Sequence, residues 1–186
     1  MTIDRRTAEG IAFLCAFTLC IPAANWLIGN VGTTCVPNGP CLIPVLPGLK
    51  APSGVLMVGL ALVLRDLVQR RLGLAWSFAA VLAGAALSAA IAPPALVIAS
   101  TAAFLLSELA DLAIYTPLQR RGLVLAVVAS SAAGLVVDSI AFLMLAFGSL
   151  DYLAGQVVGK AWMVAASIPA IAWLRERDAR IGLQPA

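Results

Sequence analysis

The sequence predicts an all-α integral membrane protein with six transmembrane helices and both termini in the cytoplasm. Its composition is the first reason: of 186 residues, 62% are hydrophobic and only 11% are charged, whereas soluble domains usually carry about 25% charged residues. The second reason is that the apolar residues fall into six long segments. The third is that the arginines between these segments gather on one side. We therefore expect one membrane domain over residues 1–186.

Each apolar segment approaches the length of about 20 residues that a helix needs to cross a bilayer. The second segment is the shortest and ends in charged residues. Pro93-Pro94 separates the third from the fourth, and Thr116-Pro117 ends the fourth, because proline lacks a backbone donor and clashes with the preceding turn. The predicted spans are residues about 8–29, 53–69, 74–92, 95–116, 122–147 and 153–174.

The basic residues predict the orientation of these spans. Under this layout nine arginines lie on one side of the membrane, and Lys50 lies alone on the other. Cytoplasmic loops carry the excess of arginine and lysine, so both termini are expected in the cytoplasm. The sequence shows no pattern of basic residues interleaved with aromatic ones, so it does not indicate a nucleic-acid partner. The nine residues are Arg5, Arg6, Arg70, Arg71, Arg120, Arg121, Arg175, Arg177 and Arg180.

Residues about 30–52 form the one long external loop. The stretch GTTCVPNGPCLIPVLPGLKAPSG is dense in proline and glycine, which excludes a regular helix. Two alternatives remain: the loop folds back to cap a cavity, or it lies in solvent. Whether Cys35 and Cys41 form a disulfide is also undecided, because the bond requires an oxidising compartment. A zinc site would need further ligands that the loop lacks.

Charged and polar residues inside the spans are the candidates for function. A charge at the centre of a transmembrane helix costs about 2.5–3.5 kcal/mol on insertion scales, so such side chains should face the bundle interior, a cavity or one another. Glu108 and Asp111 share one helix face, in line with Phe104 and Tyr115. The polar candidates are Arg65, Asp66, Glu108, Asp111, Asp138, Lys160, Asn25 and Gln156.

Glu108 and Asp111 carry the strongest functional expectation. Two acids on one helical turn repel each other, so a purely structural role would require two partners. We therefore expect this pair to form the polar centre of a solute path. Ser130, Gly134 and Asp138 follow one another at i, i+4 and i+8 on the fifth span. The two small residues would let another helix or a ligand approach closely.

Structural alternatives remain for the other candidates. Arg65 and Asp66 are neighbours in sequence and are expected to point to different faces, where each could be an interface residue or part of an ion pair. Lys160 could simply neutralise Asp138 or an acid of the fourth span. Asn25 could be a plain hydrogen-bonding residue between helices.

Enzyme activity is not expected. The chain has no histidine, which removes the commonest general base and the commonest metal ligand. It contains neither a Walker-type phosphate loop nor a G-x-S-x-G motif. We therefore expect no metal and no cofactor, and any coupling to ATP would have to come from a partner protein.

Three segments in combination resemble the queuosine precursor transporters, a vitamin-uptake-like (VUT) group. The combined pattern is an Arg-Asp pair ending the second span, Ser-Glu-x-x-Asp on the fourth, Asp-Ser on the fifth and Gln-x-x-x-Lys on the sixth. The resemblance covers roughly residues 20–175. The segments are PSGVLMVGLALVLRDLVQRRLG (52–73), FLLSELADLAIYTPL (104–118) and GLVVDSIAFLMLAFGSLDYLAGQVVGKAWM (134–163).

This resemblance implies a multi-pass inner-membrane protein that imports 7-deazaguanine bases such as 7-cyano-7-deazaguanine, which are precursors of the modified tRNA nucleoside queuosine. Such a base presents N–H donors along one edge, and a carboxylate can accept two of them. Glu108 or Asp111 would then accept hydrogen bonds from these N–H groups. Asn25 or Gln156 would donate to its carbonyl oxygen.

The resemblance also suggests roles for aromatic and paired residues. Phe104, Tyr115 or Trp162 would stack on the ring of the base, as aromatic side chains do on bases elsewhere. Lys160 and Asp138 would form an ion pair that opens and closes during transport. Together with the polar candidates, these residues make up the expected substrate site.

An alternative reading is the substrate-binding membrane subunit of an ATPase-coupled vitamin or micronutrient uptake complex, because such subunits are also small and have six spans. The expected partners are a small deazapurine base and membrane lipid. The sequence leaves undecided whether the chain forms a homo-oligomer. No motif indicates an ATPase partner.

Overall fold

Six long helices alternate in direction within a bundle, and a small antiparallel sheet covers one of its ends. The structure is a computed structural model that describes residues 4–37, 39–92 and 94–183. Pro93 of the predicted Pro93-Pro94 break lies outside the described residues, and a short 3-10 turn follows at Pro94–Leu96. The helices are α1 (Arg5–Asn30), α2 (Val55–Leu72), α3 (Leu74–Ile91), α4 (Val97–Leu118), α5 (Leu123–Phe147) and α6 (Leu153–Ile181).

Helices α1, α3, α4, α5 and α6 are long and apolar enough to cross a membrane. The prediction of a mostly helical, multi-pass membrane protein is thereby confirmed. Helix α2 differs because it carries Arg65, Asp66, Arg70 and Arg71 within its 18 residues. These side chains are nevertheless buried, since α2 packs against all five other helices. A helix with four buried charges therefore lies at the centre of the bundle.

The segment between α1 and α2 contains three short strands, which the prediction of an all-α protein did not include. They are β1 (Thr34–Cys35), β2 (Cys41–Leu46) and β3 (Leu49–Pro52). The strands are antiparallel in the order β1-β2-β3. Gly48 has a φ of 75° in the turn between β2 and β3, a left-handed conformation that glycine adopts without steric cost. A disulfide joins Cys35 to Cys41, which answers the question that the sequence left open.

This sheet folds back onto the bundle instead of lying free in solvent. The indole N–H of Trp162 in α6 donates to the Val45 carbonyl oxygen at 3.1 Å. The Ser53 hydroxyl donates to the Leu27 carbonyl oxygen in α1 at 2.7 Å. Because the backbone groups of the sheet pair with one another, the segment can lie against the helices without leaving those groups unsatisfied.

A network of charges joins the helix ends at the opposite end of the bundle. Asp178 in α6 accepts hydrogen bonds from Arg70 at 2.9 Å and from Arg71 at 2.9 Å. Glu9 in α1 accepts from Arg71 at 2.9 Å and from Arg177 at 2.6 Å. We call these five residues the terminal charge cluster. It places the beginning of α1, the end of α2 and the end of α6 side by side.

Candidate functional site

A cavity lies between the helices in the half of the bundle nearest the sheet. Its volume is about 90 Å³, several times the roughly 10–15 Å³ that one water molecule needs. Its wall is mostly apolar, as in small-molecule sites where a few polar groups set the orientation of the ligand. The polar residues that line it are Asn25, Ser88, Ser100, Ser107, Glu108, Asp138, Gln156 and Lys160.

Glu108 of α4 connects this cavity to the charged centre of the bundle. Its Oε2 accepts a hydrogen bond from the Arg65 Nε at 3.2 Å, and its side chain is 2% exposed. Within the described part of the chain, no side chain donates to the other carboxylate oxygen, Oε1. That oxygen is therefore the one that can accept a hydrogen bond from a bound molecule.

Lys160 of α6 organises the opposite wall of the cavity. Its ammonium group lies 2.6 Å from the Asp138 carboxylate. It also donates to the Ser139 hydroxyl at 2.7 Å and to the Gln156 Oε1 at 2.5 Å. Because the amide oxygen of Gln156 faces the ammonium group, its NH₂ group is the part that can donate to a ligand.

Asn25 and Phe104 complete the cavity from α1 and α4. The Asn25 amide nitrogen donates one N–H to the Ile21 carbonyl oxygen at 3.0 Å, which leaves its second N–H to donate and its oxygen to accept. The Phe104 ring lies 6.0 Å from the Phe17 ring. A Cβ at Gly84 of α3 would lie 2.7 Å from the Phe104 ring. Glycine at that position therefore leaves room for an aromatic wall.

One arginine lies beneath the cavity among three carboxylates. The Arg65 guanidinium forms salt bridges with Asp66 at 2.8 Å, with Glu108 at 3.2 Å and with Asp111. It also lies 5.6 Å from the centre of the Tyr115 ring. We call Arg65, Asp66, Glu108 and Asp111 the central cluster. The prediction that Arg65 and Asp66 point apart is wrong, because the long arginine side chain reaches across to the neighbouring carboxylate.

Neutral polar side chains extend the central cluster. Gln69 accepts from the Arg65 Nη1 at 3.1 Å and donates to the Thr116 hydroxyl at 3.1 Å. The Ser130 hydroxyl donates to the Asp66 carboxylate at 2.9 Å. Arg65 and Gln69 are four residues apart on α2, a spacing that favours contact, but sequence reasoning missed the hydroxyl partners. Serine and threonine are too common in such helices to signal these roles.

The structure divides the predicted site residues between two places. The cavity is lined by six of them: Asn25, Phe104, Glu108, Asp138, Gln156 and Lys160. The others lie below it or outside it: Arg65, Asp66, Asp111 and Tyr115 are buried in and around the central cluster, and Trp162 is 52% exposed. Among the described residues, no group of three or more acidic or cysteine side chains is arranged to hold a metal ion.

These features define a multi-pass membrane protein with a mostly apolar internal cavity that a few polar side chains line. A model of the family described as "putative vitamin uptake transporter" matches residues 90–174. The matched part contains α4, α5 and most of α6, and with them five of the six predicted residues that line the cavity. The expected likeness to the vitamin-uptake-like group is thereby confirmed over these residues. Searches of curated proteins and of solved structures found no match.

Proposed function

We propose that this chain is a six-span inner-membrane transporter that imports 7-cyano-7-deazaguanine or a related 7-deazaguanine base. The family match supports transport of a vitamin-like solute, and the sequence resemblance narrows that solute to a queuosine precursor. Both termini are cytoplasmic in this proposal. The arginines of the terminal charge cluster support this orientation, because cytoplasmic ends carry the excess of basic residues.

The composition of the cavity is the observation that carries the proposal. It offers an acceptor at Glu108, a donor at Gln156 and an aromatic wall at Phe104. A deazaguanine base has adjacent N–H donors, a carbonyl acceptor and a flat ring. The Glu108 carboxylate would accept from its N–H groups, Gln156 would donate to its carbonyl oxygen, and Phe104 would pack against its ring.

The queuosine content of tRNA tests this proposal directly. A bacterial strain that cannot make the precursor and lacks its own importer would receive a low dose of 7-cyano-7-deazaguanine. We expect the wild-type chain to restore queuosine. Glu108→Gln should reduce uptake roughly tenfold or more, because a buried hydrogen-bonding partner of the substrate is replaced. Arg65 would keep two carboxylate partners in this variant, so the protein should still reach the membrane.

Glu176→Gln is the matched control, because Glu176 is exposed near the end of α6. It should restore queuosine as well as the wild-type chain does. Normal uptake by Glu108→Gln would remove Glu108 from the substrate site. If no version restores queuosine although all reach the membrane, then either the proposed substrate is wrong or the chain needs a partner subunit. Substrate binding without transport would then favour the ATPase-coupled subunit.

A further inference from the structure

The central cluster contains more carboxylates than cations. Asp66, Glu108 and Asp111 all contact the single guanidinium of Arg65, and each of these four side chains is at most 2% exposed. A buried charge without a partner costs several kcal/mol, even after the surroundings relax. One arginine cannot neutralise three ionised carboxylates, so the cluster has a deficit of positive charge.

No neighbouring helix supplies the missing cation in the described part of the chain. Lys160 of α6, the buried cation that lines the cavity, pairs with Asp138 of α5. The arginines at the end of α2 pair with Asp178. Helix α4 contributes the Tyr115 ring, α5 the Ser130 hydroxyl and α1 the Cys20 thiol beside the cavity; α3 has no charged residue.

Asp111 is the carboxylate whose surroundings suit a proton best. Its Oδ2 has no hydrogen-bond partner among the described residues although the side chain is fully buried. A Cβ at Gly134 would lie 3.4 Å from this oxygen and 2.8 Å from Leu62 Cδ2, so the oxygen lies beside apolar groups. Burying an ionised oxygen in such surroundings costs far more than burying a neutral carboxylic acid.

We infer that the central cluster is a proton-binding site that couples import to proton entry, with the proton residing on Asp111 and reaching it from the cavity through Glu108. This inference rests on the proposed import function. A proton enters from the external side, binds a carboxylate as an O–H group and leaves on the cytoplasmic side, while the substrate is chemically unchanged. Glu108 suits the relay because it lines the cavity and also contacts Arg65.

A proton fits the cluster better than a metal cation does. The guanidinium group of Arg65 occupies the position between the three carboxylates, and the described acidic residues form no metal-holding group. Sodium or another hard cation would need several oxygen ligands facing one point. A proton needs only one carboxylate oxygen, which Asp111 provides.

Purified protein in liposomes tests the inference with radiolabelled 7-cyano-7-deazaguanine. Counterflow, in which unlabelled substrate inside exchanges for labelled substrate outside, measures transport without any driving gradient. An inside-alkaline pH gradient should then drive accumulation of up to about tenfold per pH unit if one proton accompanies each substrate. A pH-sensitive dye in the lumen should report acidification when substrate is added outside, and a protonophore should abolish accumulation.

Asp111→Asn separates coupling from transport, because asparagine resembles a permanently protonated aspartate. Arg65 keeps two carboxylate partners in this variant, so we expect it to fold. Counterflow should remain measurable, whereas accumulation and lumen acidification should be lost. Asp151→Asn makes the same change at an exposed position and should behave as the wild-type chain does.

The outcomes distinguish the two proposals. Absence of counterflow in the wild-type protein would overturn self-sufficient import and this inference with it. Counterflow without accumulation under a pH gradient, or accumulation driven only by a sodium gradient, would overturn proton coupling alone. Undiminished accumulation by Asp111→Asn would contradict the assignment of the proton to Asp111.

Discussion

At the scale of single residues, the charges that lie inside the bundle have oppositely charged groups at short distance. Arginine is suited to this task, since its planar guanidinium group offers five N–H donors in a fixed geometry. Arg65 donates hydrogen bonds to Glu108 and Gln69 and forms salt bridges with Asp66 and Asp111. Sequence reasoning identified the charged residues because they interrupt apolar segments. It argued that a purely structural role for Glu108 and Asp111 would require two partners, whereas the two share Arg65.

Asp178 provides a test of this residue-scale principle away from the cavity. Its carboxylate accepts four hydrogen bonds from Arg70 and Arg71, and the residue is fully buried. Asp178→Asn leaves these arginines without their shared anion, which should lower stability by about 3–5 kcal/mol. Thermal unfolding of the detergent-purified protein measures this effect. Asp151→Asn, at an exposed position, should leave the unfolding temperature unchanged; an equal shift in both variants would refute the argument.

At the scale of helices, α2 shows how packing overrides composition. Its charged half would be costly in contact with lipid, but the five other helices surround it. The close approach to α6 depends on Gly59. A Cβ at this position would lie 2.9 Å from the Lys160 Cα and 2.5 Å from its carbonyl oxygen, which is closer than two packed helices allow. Small residues permit such close contact between membrane helices.

Gly59→Ala should therefore push α6 away from α2 and destabilise the protein by about 1–3 kcal/mol, as overpacking of a core does. Thermal unfolding in detergent again provides the measurement. Gly29→Ala is the control, because nothing lies within 4 Å of a Cβ at that helical position. If Gly59→Ala unfolds at the same temperature as Gly29→Ala, then α2 and α6 are not held together at this point.

At the scale of the whole molecule, the bundle has two different ends. One end carries the terminal charge cluster, which joins α1, α2 and α6. The other carries the sheet, whose connection to α1 and α6 brings Pro52 to the edge of the cavity. The cavity lies nearer the sheet, and the helix ends near the termini are closed by ion pairs. For the import proposed above, this arrangement predicts that the solute enters from the sheet side.

Reporter fusions test the orientation of these two ends. Green fluorescent protein fused after the last residue should fluoresce, because it folds in the cytoplasm. Alkaline phosphatase fused after Gly48 should be active, since it requires the oxidising side of the membrane, and a fusion after Arg121 should be inactive. If the phosphatase is active after Arg121 and inactive after Gly48, the orientation is the reverse of the proposed one.

Sequence and tertiary structure determine different features of this protein. The sequence by itself determined the six helical segments, the gathering of arginines near one end and the identity of the buried polar residues, because apolar runs, helix-breaking residues and charge positions are local properties. The tertiary structure decided that Glu108 faces the cavity while Asp111 lies below it, that one arginine serves three acids, and that the loop forms a sheet. Such partners come from distant parts of the chain, and they depend on how each helix is rotated and packed against its neighbours.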